Sequence, residues 1–440
     1  MSSACPGLFY ATPTQDGTLS RIRIPGGRLN AEQAIAIANL ADRFGDKSLQ
    51  VTNRANVQIR AQIPELALEP LQTLKLASPI AEVDAIRNIM GSPTAGIDSQ
   101  ALIDVSSLID SWNQYLISHP ELAVLSEKFS VAFDGGESVS ICDRPNDIAL
   151  VAVDSTTFRL YLSVGERGSA PSDVGVAIES NDCLTVLAAI AQFYRKQTIE
   201  RFQTQSSRRK PRFREILNEV GVDRCLQMIE HSSIRLQACG HAVDRSTKYN
   251  HLGVHPQRQL DLFYIGVVLP LGHLNAKQLR GLTALSTQYG RGELRLTPWQ
   301  NVLITHLSES AIASVQKEIE ALGLHWSETN VYGGMVACTG KPGCASSATH
   351  TKSDAHAIAN YLQRFELDRP VNIHVSGCEK SCAQHGQADV TLVGCETEKY
   401  DVYVHDHNGS KFGQLINSGV SIVEILDSIK VTLEKRSKIR

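Results

Sequence analysis

The sequence predicts an α+β protein made of two related halves, and two internal repeats carry that prediction. Residues 25–60 align without a gap with residues 270–305, and 13 of the 36 positions are identical. A fainter repeat relates residues 86–98 to residues 336–348. Two copies are too few for a solenoid, so we expect two halves around a pseudo-twofold axis, each containing both repeat units.

Each copy of the stronger repeat predicts a strand, a helix and a second strand. Apolar residues at helical spacing follow Asn30 in the first copy and Asn275 in the second, and asparagine is a favoured residue at a helix N-cap. Gly45 and Gly290 stand where each helix should end, because glycine readily ends a helix. The second strand of the first copy is predicted over residues 48–60.

The composition is that of a soluble globular protein. The 440 residues are 42% hydrophobic and 20% charged, and the formal net charge is −3. This balance gives no electrostatic reason to expect nucleic acid or a membrane surface as a partner. We expect a cytoplasmic protein, since neither a membrane-spanning apolar run nor a signal-peptide core is visible. Its cysteines should then be thiols or metal ligands in a reducing compartment.

Four cysteines form two pairs near the C-terminus. Cys338 and Cys344 have five residues between them, and Cys378 and Cys382 have three. Paired thiolates are typical ligands of zinc or of iron–sulfur clusters. Zinc pairs usually enclose about two to four residues, so the wide first loop favours a [4Fe–4S] cluster. Small residues surround both pairs and would let backbone N–H groups approach the cluster sulfurs: Gly340, Gly343, Ala345, Ser346, Gly377, Ser381 and Ala383.

A polar strand face predicts where an anionic ligand binds. If residues 51–60 form one strand, alternate side chains share a face, and that face is polar and cationic. Such a face is either solvated or lines a polar cavity. In the second copy Trp299 and Asn301 occupy the matching face, where tryptophan either packs in the core or stacks on a flat macrocycle. The row in the first copy consists of Thr52, Arg54, Asn56, Gln58 and Arg60.

A basic stretch, residues 206–216, is expected to link the two halves. Runs of charge usually form a solvated face. The alternative is that their side chains reach the carboxylates of a ligand. The side chains concerned are Arg208, Arg209, Lys210 and Arg212.

The cysteine spacing, within NIHVSGCEKSCAQHGQADVTLVGC, resembles the nitrite and sulfite reductase family. In that family the two cysteine pairs hold a [4Fe–4S] cluster, and the last cysteine bridges it to sirohaem, an iron tetrapyrrole rich in carboxylates. The resemblance implies ferredoxin-like half-domains and cluster-type α/β domains. It also matches Arg54, Arg87 and Lys128 to family residues that face the macrocycle and its bound anion.

The resemblance divides the chain into five segments. In the first α/β domain Ile89 and Ala95 take the positions of Cys338 and Cys344, so that domain should hold no cluster and instead offer Arg87 to an anionic ligand. The segments are a first ferredoxin-like half-domain (1–75), a first α/β domain without cluster (76–200), a linker and connecting segment (201–255), a second ferredoxin-like half-domain (256–325) and the [4Fe–4S]-binding domain (326–440).

Shorter motifs resemble one branch of the family, the precorrin-3B synthases. CPGL, TNRAN, KF…DGG, LTPW and CTGxPGCA occur in order along the chain. This resemblance implies a monooxygenase of cobalamin biosynthesis that oxidises precorrin-3A with O2, with electrons from ferredoxin or an NAD(P)H-dependent reductase. It also implies a mononuclear non-haem iron, which favours two histidines and one carboxylate. The candidates are His255, His374, His385, Asp98 and Asp134, of which His374 is the weakest because sirohaem reductases carry a similar histidine.

Two other hypotheses stay open. The first is a ferredoxin-dependent nitrite or sulfite reductase with sirohaem, which would need two cavity lysines where only Lys128 is evident. The second is a tetrapyrrole carrier without activity, which leaves a cluster beside a cationic cavity unexplained. The predicted tetrapyrrole contacts are Arg54, Asn56, Gln58, Arg60, Arg87, Lys128, Trp299 and Asn301.

Overall fold

The computed structural model describes residues 6–166, 168–204, 209–230, 236–238, 251–341, 343–367, 370–406 and 410–437. Cys5, Arg208 and Cys239 lie outside these ranges. No helix within them is long and apolar enough to cross a membrane.

The first half contains strands β1 (Thr12–Thr14), β2 (Gly17–Ile22), β3 (Arg28–Asn30), β4 (Ser48–Val51), β5 (Val57–Ile59), β6 (Asn88–Gly91), β7 (Ser130–Asp134), β8 (Ile148–Ala152), β9 (Thr157–Leu162), β10 (Ser172–Glu179) and β11 (Gln237–Ala238). Its helices are α1 (Ala31–Phe44), α2 (Leu68–Thr73), α3 (Ala81–Ile86), α4 (Ser106–Ser118), α5 (Cys183–Thr204), α6 (Phe213–Val220) and α7 (Val222–Glu230). The second half contains strands β12 (Gly253–Pro256), β13 (Leu262–Val267), β14 (His273–Asn275), β15 (Glu293–Leu296), β16 (Val302–Ser308), β17 (Met335–Ala337), β18 (Ile373–Ser376), β19 (Val390–Glu396), β20 (Lys399–Val404) and β21 (Gln414–Ser421). Its helices are α8 (Ala276–Tyr289), α9 (Ile312–Ala321), α10 (Thr351–Leu362) and α11 (Ile422–Ser437).

The helices of the stronger repeat begin and end where the sequence predicts. α1 and α8 each follow an asparagine whose side chain accepts the N–H of the third helical residue, a glutamine. The glutamine side chain in turn accepts the N–H of the asparagine, so two N–H groups that the helix leaves unpaired are satisfied. Gly45 and Gly290 end the helices by donating their N–H groups to Ala41 and Ser286. The predicted helices of this repeat are confirmed.

The two half-domains exchange a strand. One sheet has the order β1-β2-β5-β4-β14, and the other has the order β12-β13-β16-β15-β3. β14 pairs with β4, and β3 pairs with β15, both antiparallel. Because each sheet takes its last strand from the other half, the half-domains share one hydrophobic core and cannot separate without losing strand pairs.

The long second strand of the first copy is instead a hairpin of β4 and β5 that turns at residues 52–56. Thr52 Oγ1 accepts the N–H of Asn56 at 3.1 Å, and Asn56 Oδ1 accepts the N–H of Ile24 at 2.8 Å. Ala55 has a φ of 54°, in the left-handed region that tight turns use. Side chains therefore do not alternate along one strand, and the continuous polar face predicted there is wrong.

The second copy builds the same turn between β15 and β16. Thr297 Oγ1 accepts the N–H of Asn301 at 3.1 Å, and Asn301 Oδ1 accepts the N–H of Leu269 at 3.0 Å. Gln300 has a φ of 64°, as Ala55 does in the first copy. The TNRAN and LTPW motifs therefore encode turns, because their threonines and the asparagine that follows each of them hold backbone N–H groups.

Each half adds an α/β unit with the same strand arrangement. In the first unit β6, β7 and β8 are parallel, and β9 and β10 continue the sheet antiparallel. In the second unit β17, β18 and β19 are parallel, and β20 and β21 are antiparallel. α4 and α10 connect the first two parallel strands of their units. The fainter repeat thus reflects a duplicated unit, as predicted.

The connecting segment predicted over residues 201–255 is wrong in part. α6 and α7 pack into the core of the first α/β unit, where Phe213, Ile216 and Ile229 are buried. Their apolar sides face that unit, which is what stabilises short helices in a protein. α6 and α7 therefore belong to the first α/β unit.

Candidate functional site

The two cysteine pairs lie on neighbouring loops of the second α/β unit. One loop follows β17 and the other follows β18, and these strands are parallel neighbours, so their C-terminal ends meet at one edge of the sheet. The N–H of Cys338 donates to the carbonyl of Val375 at 3.1 Å. The N–H of Gly377 donates to Cys338 Sγ at 3.2 Å. The fold thus brings the two parts of the predicted ligand set together.

The shape of these loops suits an iron–sulfur cluster. A Cβ atom at Gly340 would collide with Thr351 Oγ1, and one at Gly377 would collide with Ser347 Oγ, so only glycine lets the loops close this tightly. Hydrogen bonds to cysteine sulfur, such as that from Gly377, are a feature of cluster sites. Across the described ranges no three His, Cys, Asp or Glu side chains are grouped so that they could hold a metal ion. A [4Fe–4S] cluster does not require its ligands to be grouped around one ion, because each cysteine binds a different iron.

The first α/β unit fills the equivalent position with carboxylates and hydroxyls. Its two loops follow β6 and β7, as the cysteine loops follow β17 and β18. Asp98 Oδ2 joins them, because it accepts the Thr94 hydroxyl at 3.1 Å and the N–H and hydroxyl of Ser138 at 2.9 and 2.6 Å. Asp134 Oδ2 accepts the N–H of Ile141 at 2.8 Å. In the first half, hydrogen bonds to Asp98 and Asp134 thus hold the two loops that correspond to the cysteine loops of the second half. The sequence analysis did not predict this role for the two carboxylates.

A third buried carboxyl group, Glu137, belongs to this network. Its Oε2 accepts the N–H of Gly135 at 2.7 Å, whereas its Oε1 has no hydrogen-bond partner. Burial first, and then the charge of Asp134, raise the pKa of Glu137 well above its usual value. Folding therefore favours the protonated form of this side chain.

We expect Glu137→Gln to flatten the pH dependence of stability. Because the folded pKa is raised, the stability that this carboxyl contributes is fully present below its ordinary pKa of 4.5. That stability is lost as pH rises through the folded pKa, at about 1.4 kcal/mol per pH unit. Glutamine has no such proton to lose. The free energies of unfolding of variant and wild type, measured between about pH 5 and pH 9, should diverge in favour of the variant as pH rises.

Glu82→Gln is the matched control for this measurement. Glu82 is exposed, and its pKa is lowered, chiefly by the hydrogen bond from Tyr10. It is therefore ionised in both the folded and unfolded states over the same range, and its replacement should leave the slope unchanged. Parallel curves for wild type and Glu137→Gln would contradict the assignment of a protonated Glu137.

Arg54 and Trp299 occupy the same position in the two repeat copies, at the tips of the two turns. Both tips contact the loop between β7 and β8. Arg54 Nη1 donates to Asn146 Oδ1 at 3.0 Å, and its Nη2 donates to the carbonyl of Pro145 at 2.9 Å. The guanidinium of Arg144 lies 5.2 Å from the centroid of the Trp299 ring, within cation–π range. The two repeats therefore meet at this loop.

Trp299 packs against a small apolar cluster of the first α/β unit, whereas Asn301 is buried in the second half-domain. His251 stacks on Trp299 with centroids 4.6 Å apart, and its Nε2 lies 3.2 Å from Asn301 Nδ2. Burial first, and then Arg144, lower the pKa of His251 to about 3, so its ring is neutral and accepts this hydrogen bond. These contacts give both side chains partners within the protein, and their contact with a macrocycle stays a prediction.

Arg87 lies in a buried ion network. Only 1% of it is exposed. Its Nη1 donates to Asp84 Oδ1 at 2.8 Å, its Nε to Asn113 Oδ1 at 2.9 Å, and its Nη2 to the carbonyl of Lys75 at 3.1 Å. Asp84 also lies 3.7 Å from Arg23 Nη1. All three nitrogens of Arg87 are engaged within the protein, and its contact with a ligand carboxylate stays a prediction.

Gln58 belongs to a polar row across the first half-domain sheet. Arg21 Nε donates to Gln58 Oε1 at 3.1 Å, and Gln58 Nε2 donates to Gln50 Oε1 at 3.3 Å. His273 on β14 pairs in register with Gln50 and ends the row. Asn56, by contrast, holds its turn by accepting the buried backbone N–H of Ile24, and its ligand contact stays a prediction.

Arg60 lies at the edge of the first half-domain that borders the cysteine loops. It donates to the Thr14 hydroxyl at 3.1 Å and forms an ion pair with Asp16. Asp16 in turn packs against Gly343 in the first cysteine loop. Lys128 is exposed, just before β7.

The basic stretch pairs with carboxylates of this chain. Three of its four cations form such ion pairs, which supports a structural role and not contact with a ligand. Arg208 lies outside the described residues. The pairs are Arg209–Glu215 at 3.0 Å, Lys210–Glu127 at 3.4 Å and Arg212–Asp147 at 4.0 Å.

The candidate ligands of a mononuclear iron do not form a site. Asp98 and Asp134 are engaged in the network described above. His255 Nε2 contacts a backbone carbonyl at 2.5 Å. His374 is buried without a hydrogen-bond partner for either ring nitrogen, and burial, with the charge of His385, lowers its pKa to about 4. No metal-binding group is found among the described residues, so the expected non-haem iron is not supported.

Comparison with known proteins identifies the family. The Nitrite/Sulfite reductase ferredoxin-like half domain matches residues 10–72 and 255–322. The Nitrite and sulphite reductase 4Fe-4S domain matches residues 82–235 and 330–434. These matches cover most of the chain, so it belongs to the nitrite and sulfite reductase family. The predicted fold class, two halves with ferredoxin-like half-domains, is confirmed.

Ferredoxin–nitrite reductases are similar over most of the chain. That of Synechococcus elongatus is 32% identical over 98% of this chain and 88% of its own length. The chloroplastic enzyme of Zea mays is 29% identical over 90% of this chain and 73% of its own length. The solved structure of the Mycobacterium tuberculosis NirA protein has a TM-score of 0.77 over 94% of this chain and 79% of that one, at 21% identity. This last likeness shows the fold alone.

These relatives overturn the prediction of a precorrin-3B synthase. The proteins that match along nearly the whole chain are named ferredoxin–nitrite reductases, and none of these names supports oxidation of a precorrin with O2. The structure gives the physical reason for the error. TNRAN and LTPW form turns, and in DGG the N–H of Gly136 donates to Asp134 Oδ1 at 2.9 Å. These short motifs therefore reflect backbone geometry and not the substrate.

Proposed function

We propose that this protein is a ferredoxin-dependent nitrite reductase that holds a [4Fe–4S] cluster and sirohaem. The observation that carries the proposal is the 32% identity to a ferredoxin–nitrite reductase over 98% of the chain. The cysteine loops at one sheet edge support it independently. The inactive tetrapyrrole carrier has no counterpart among these relatives.

The cysteine loops would hold the cluster through Cys338, Cys344, Cys378 and Cys382. Such a cluster accepts and passes on single electrons. The backbone stabilises the charge on its sulfurs, because the N–H of Gly377 points at Cys338 Sγ and hydrogen bonds of this kind favour the reduced state. These four residues are therefore proposed as the route by which electrons enter the protein.

Sirohaem would bind at the edge of the first half-domain beside these loops, where Gln58 and Arg60 would donate to its carboxylates. Burying a carboxylate without a partner is costly, so the many carboxylates of sirohaem require cations and N–H donors. Gln58 and Arg60 lie two residues apart along the chain, and the contact of Asp16 with Gly343 joins this edge to the cluster loops. Arg54 adds a guanidinium at the turn tip. Sirohaem, when bound, supplies the iron at which the substrate anion is reduced.

Nitrite is the proposed substrate because the relatives similar over most of the chain are named nitrite reductases. Reduced ferredoxin is the proposed donor for the same reason. Lys128, which is exposed beside β7, remains a proposed cation for the approaching anion.

Turnover by the holoprotein tests this function. We expect nitrite to be consumed with reduced ferredoxin, and also with reduced methyl viologen, at least about tenfold faster than sulfite at equal concentrations. Cys382→Ser is the matched control and should lose this activity together with its cluster. Faster consumption of sulfite would replace the proposed substrate, and no consumption of either anion by a protein that carries both cofactors would overturn the proposal.

A further inference from the structure

We propose that Lys352 is the counter-cation of the iron–sulfur cluster and raises its reduction potential. This inference rests on the cluster in the proposed function but not on the identity of the substrate. It concerns a side chain outside the cysteine loops that the sequence analysis did not single out.

Lys352 follows a residue, Thr351, that contacts the proposed cluster ligand Cys338. It is the second residue of α10, and the first residue, Thr351, donates its hydroxyl to the carbonyl of Cys338 at 2.8 Å. The same hydroxyl lies 3.7 Å from Cys338 Sγ. A cation in the first turn of a helix opposes the helix dipole, which favours negative charge there. An anion near this end of the helix would offset that cost.

The hydrogen-bond partner of Lys352 does not supply that anion. Lys352 Nζ donates to His273 Nε2 at 2.8 Å. Burial first, and then the charges of Lys352 and Arg60, lower the pKa of His273 to about 3. The imidazole is therefore neutral and acts only as an acceptor. This hydrogen bond connects the second α/β unit to the polar row of the first half-domain. It leaves the positive charge of Lys352 uncompensated.

The other charged neighbours of Lys352 cancel each other. Arg60 and Asp16 both act on it electrostatically, and they form an ion pair with one another. Among the described residues Lys352 has no carboxylate within ion-pair distance. The remaining anionic group in its surroundings is Cys338. Within this chain, the positive charge of Lys352 therefore acts on the cluster thiolates without a carboxylate paired to it.

The effect of Lys352 on the reduction potential depends on the charge that the cluster gains when it is reduced. Reduction transfers one electron from the donor to the cluster and adds one negative charge, with no bond made or broken. A nearby cation stabilises the reduced form more than the oxidised form, because net charge around a cluster is one of the terms that set its potential. Lys352 would thus make the cluster easier to reduce.

A redox titration of the holoprotein, followed by electron paramagnetic resonance of the reduced cluster, tests this inference. At the wild-type midpoint, Lys352→Gln should lower the ratio of reduced to oxidised cluster about tenfold, which is 59 mV for a one-electron couple. Lys352→Arg keeps the charge and should keep the midpoint. Lys317→Gln is the control: Lys317 is exposed on α9, outside both cysteine loops, and its loss should change the ratio less than about twofold.

Asp16→Asn gives an independent test with the opposite sign. Removing this anion leaves the charge of Arg60 uncompensated beside the cluster loops and should raise the midpoint. Lys352→Arg decides the matter if Lys352→Gln fails to hold a cluster, since an approximately tenfold change of the ratio in this charge-keeping variant would then overturn the inference. An unchanged midpoint in Lys352→Gln with full iron and sulfide would also overturn it. A wild-type protein that binds no cluster would instead refute the proposed function itself.

Discussion

Replacing Cys344 by alanine is expected to remove the iron–sulfur cluster. One iron would lose its protein ligand, and the loop after β17 would lose its tie to the loop after β18. Because the binding energy of such a centre is also folding energy, the second α/β unit should unfold at a lower temperature. The wild type should contain about four iron and four sulfide ions per chain, and the variant should contain very little of either.

Cys395→Ala is the control for this result. Cys395 is exposed near the end of β19 and lies outside both cysteine loops, so its removal should leave iron and sulfide at the wild-type level. If Cys344→Ala retained full iron and sulfide, the assignment of the four ligands would be wrong.

Asp84→Asn is expected to destabilise the first half by about 3–5 kcal/mol, the usual cost of removing one partner from a buried ion pair. Asp84 accepts Arg87 Nη1 at 2.8 Å and the N–H of Ser78 at 3.0 Å, and it lies 3.7 Å from Arg23 Nη1. Asp84 and both arginines are 1% exposed. The neutral amide would leave two buried guanidinium groups without their shared carboxylate. The free energy of unfolding in urea measures the loss.

Asp42→Asn provides a matched comparison, because it removes the same charge from an exposed pair. Asp42 lies 2.7 Å from Arg280, and both side chains are more than a third exposed. Solvent screens such a pair, so its loss should cost about 0–1 kcal/mol. Equal costs for the two variants would show that the buried network does not stabilise the first half.

The repeat architecture was predictable because its signals are local. Asn30 and Asn275 open their helices through side-chain hydrogen bonds to residues three positions on, and Gly45 and Gly290 close them. The strand exchange was not predictable, because β14 pairs with a strand more than two hundred residues earlier and no local pattern distinguishes β4 from β15 as its partner. Long-range pairing is decided by the packed core and not by the residues of one strand.

The turn tips were misread for a different reason. The prediction assumed that side chains alternate between the two faces of one strand through residues 52–56. The chain reverses there, with Ala55 at a positive φ. Alanine at position 55 does not signal such a conformation, whereas glycine or asparagine at that position would have done so. The wrong branch of the family was predicted separately, from the resemblance of short motifs, two of which form these turns.

The candidate site was predictable where the chemistry depends on residue type. Cysteine spacing located the cluster loops, because thiolate is the ligand that such centres require. The tetrapyrrole contacts were less predictable, since an arginine can serve a ligand or a buried carboxylate. Arg87 serves Asp84, and nothing in its neighbouring sequence distinguishes the two roles.

The visible spectrum of the anaerobically purified protein, recorded before and after nitrite is added, tests the central proposal most directly. We predict an intense Soret-type sirohaem band above the broad absorbance of the cluster, and a shift of that band when nitrite binds. A protein with full cluster iron and sulfide that shows only the broad shoulder, with no response to nitrite, would contradict the proposed function.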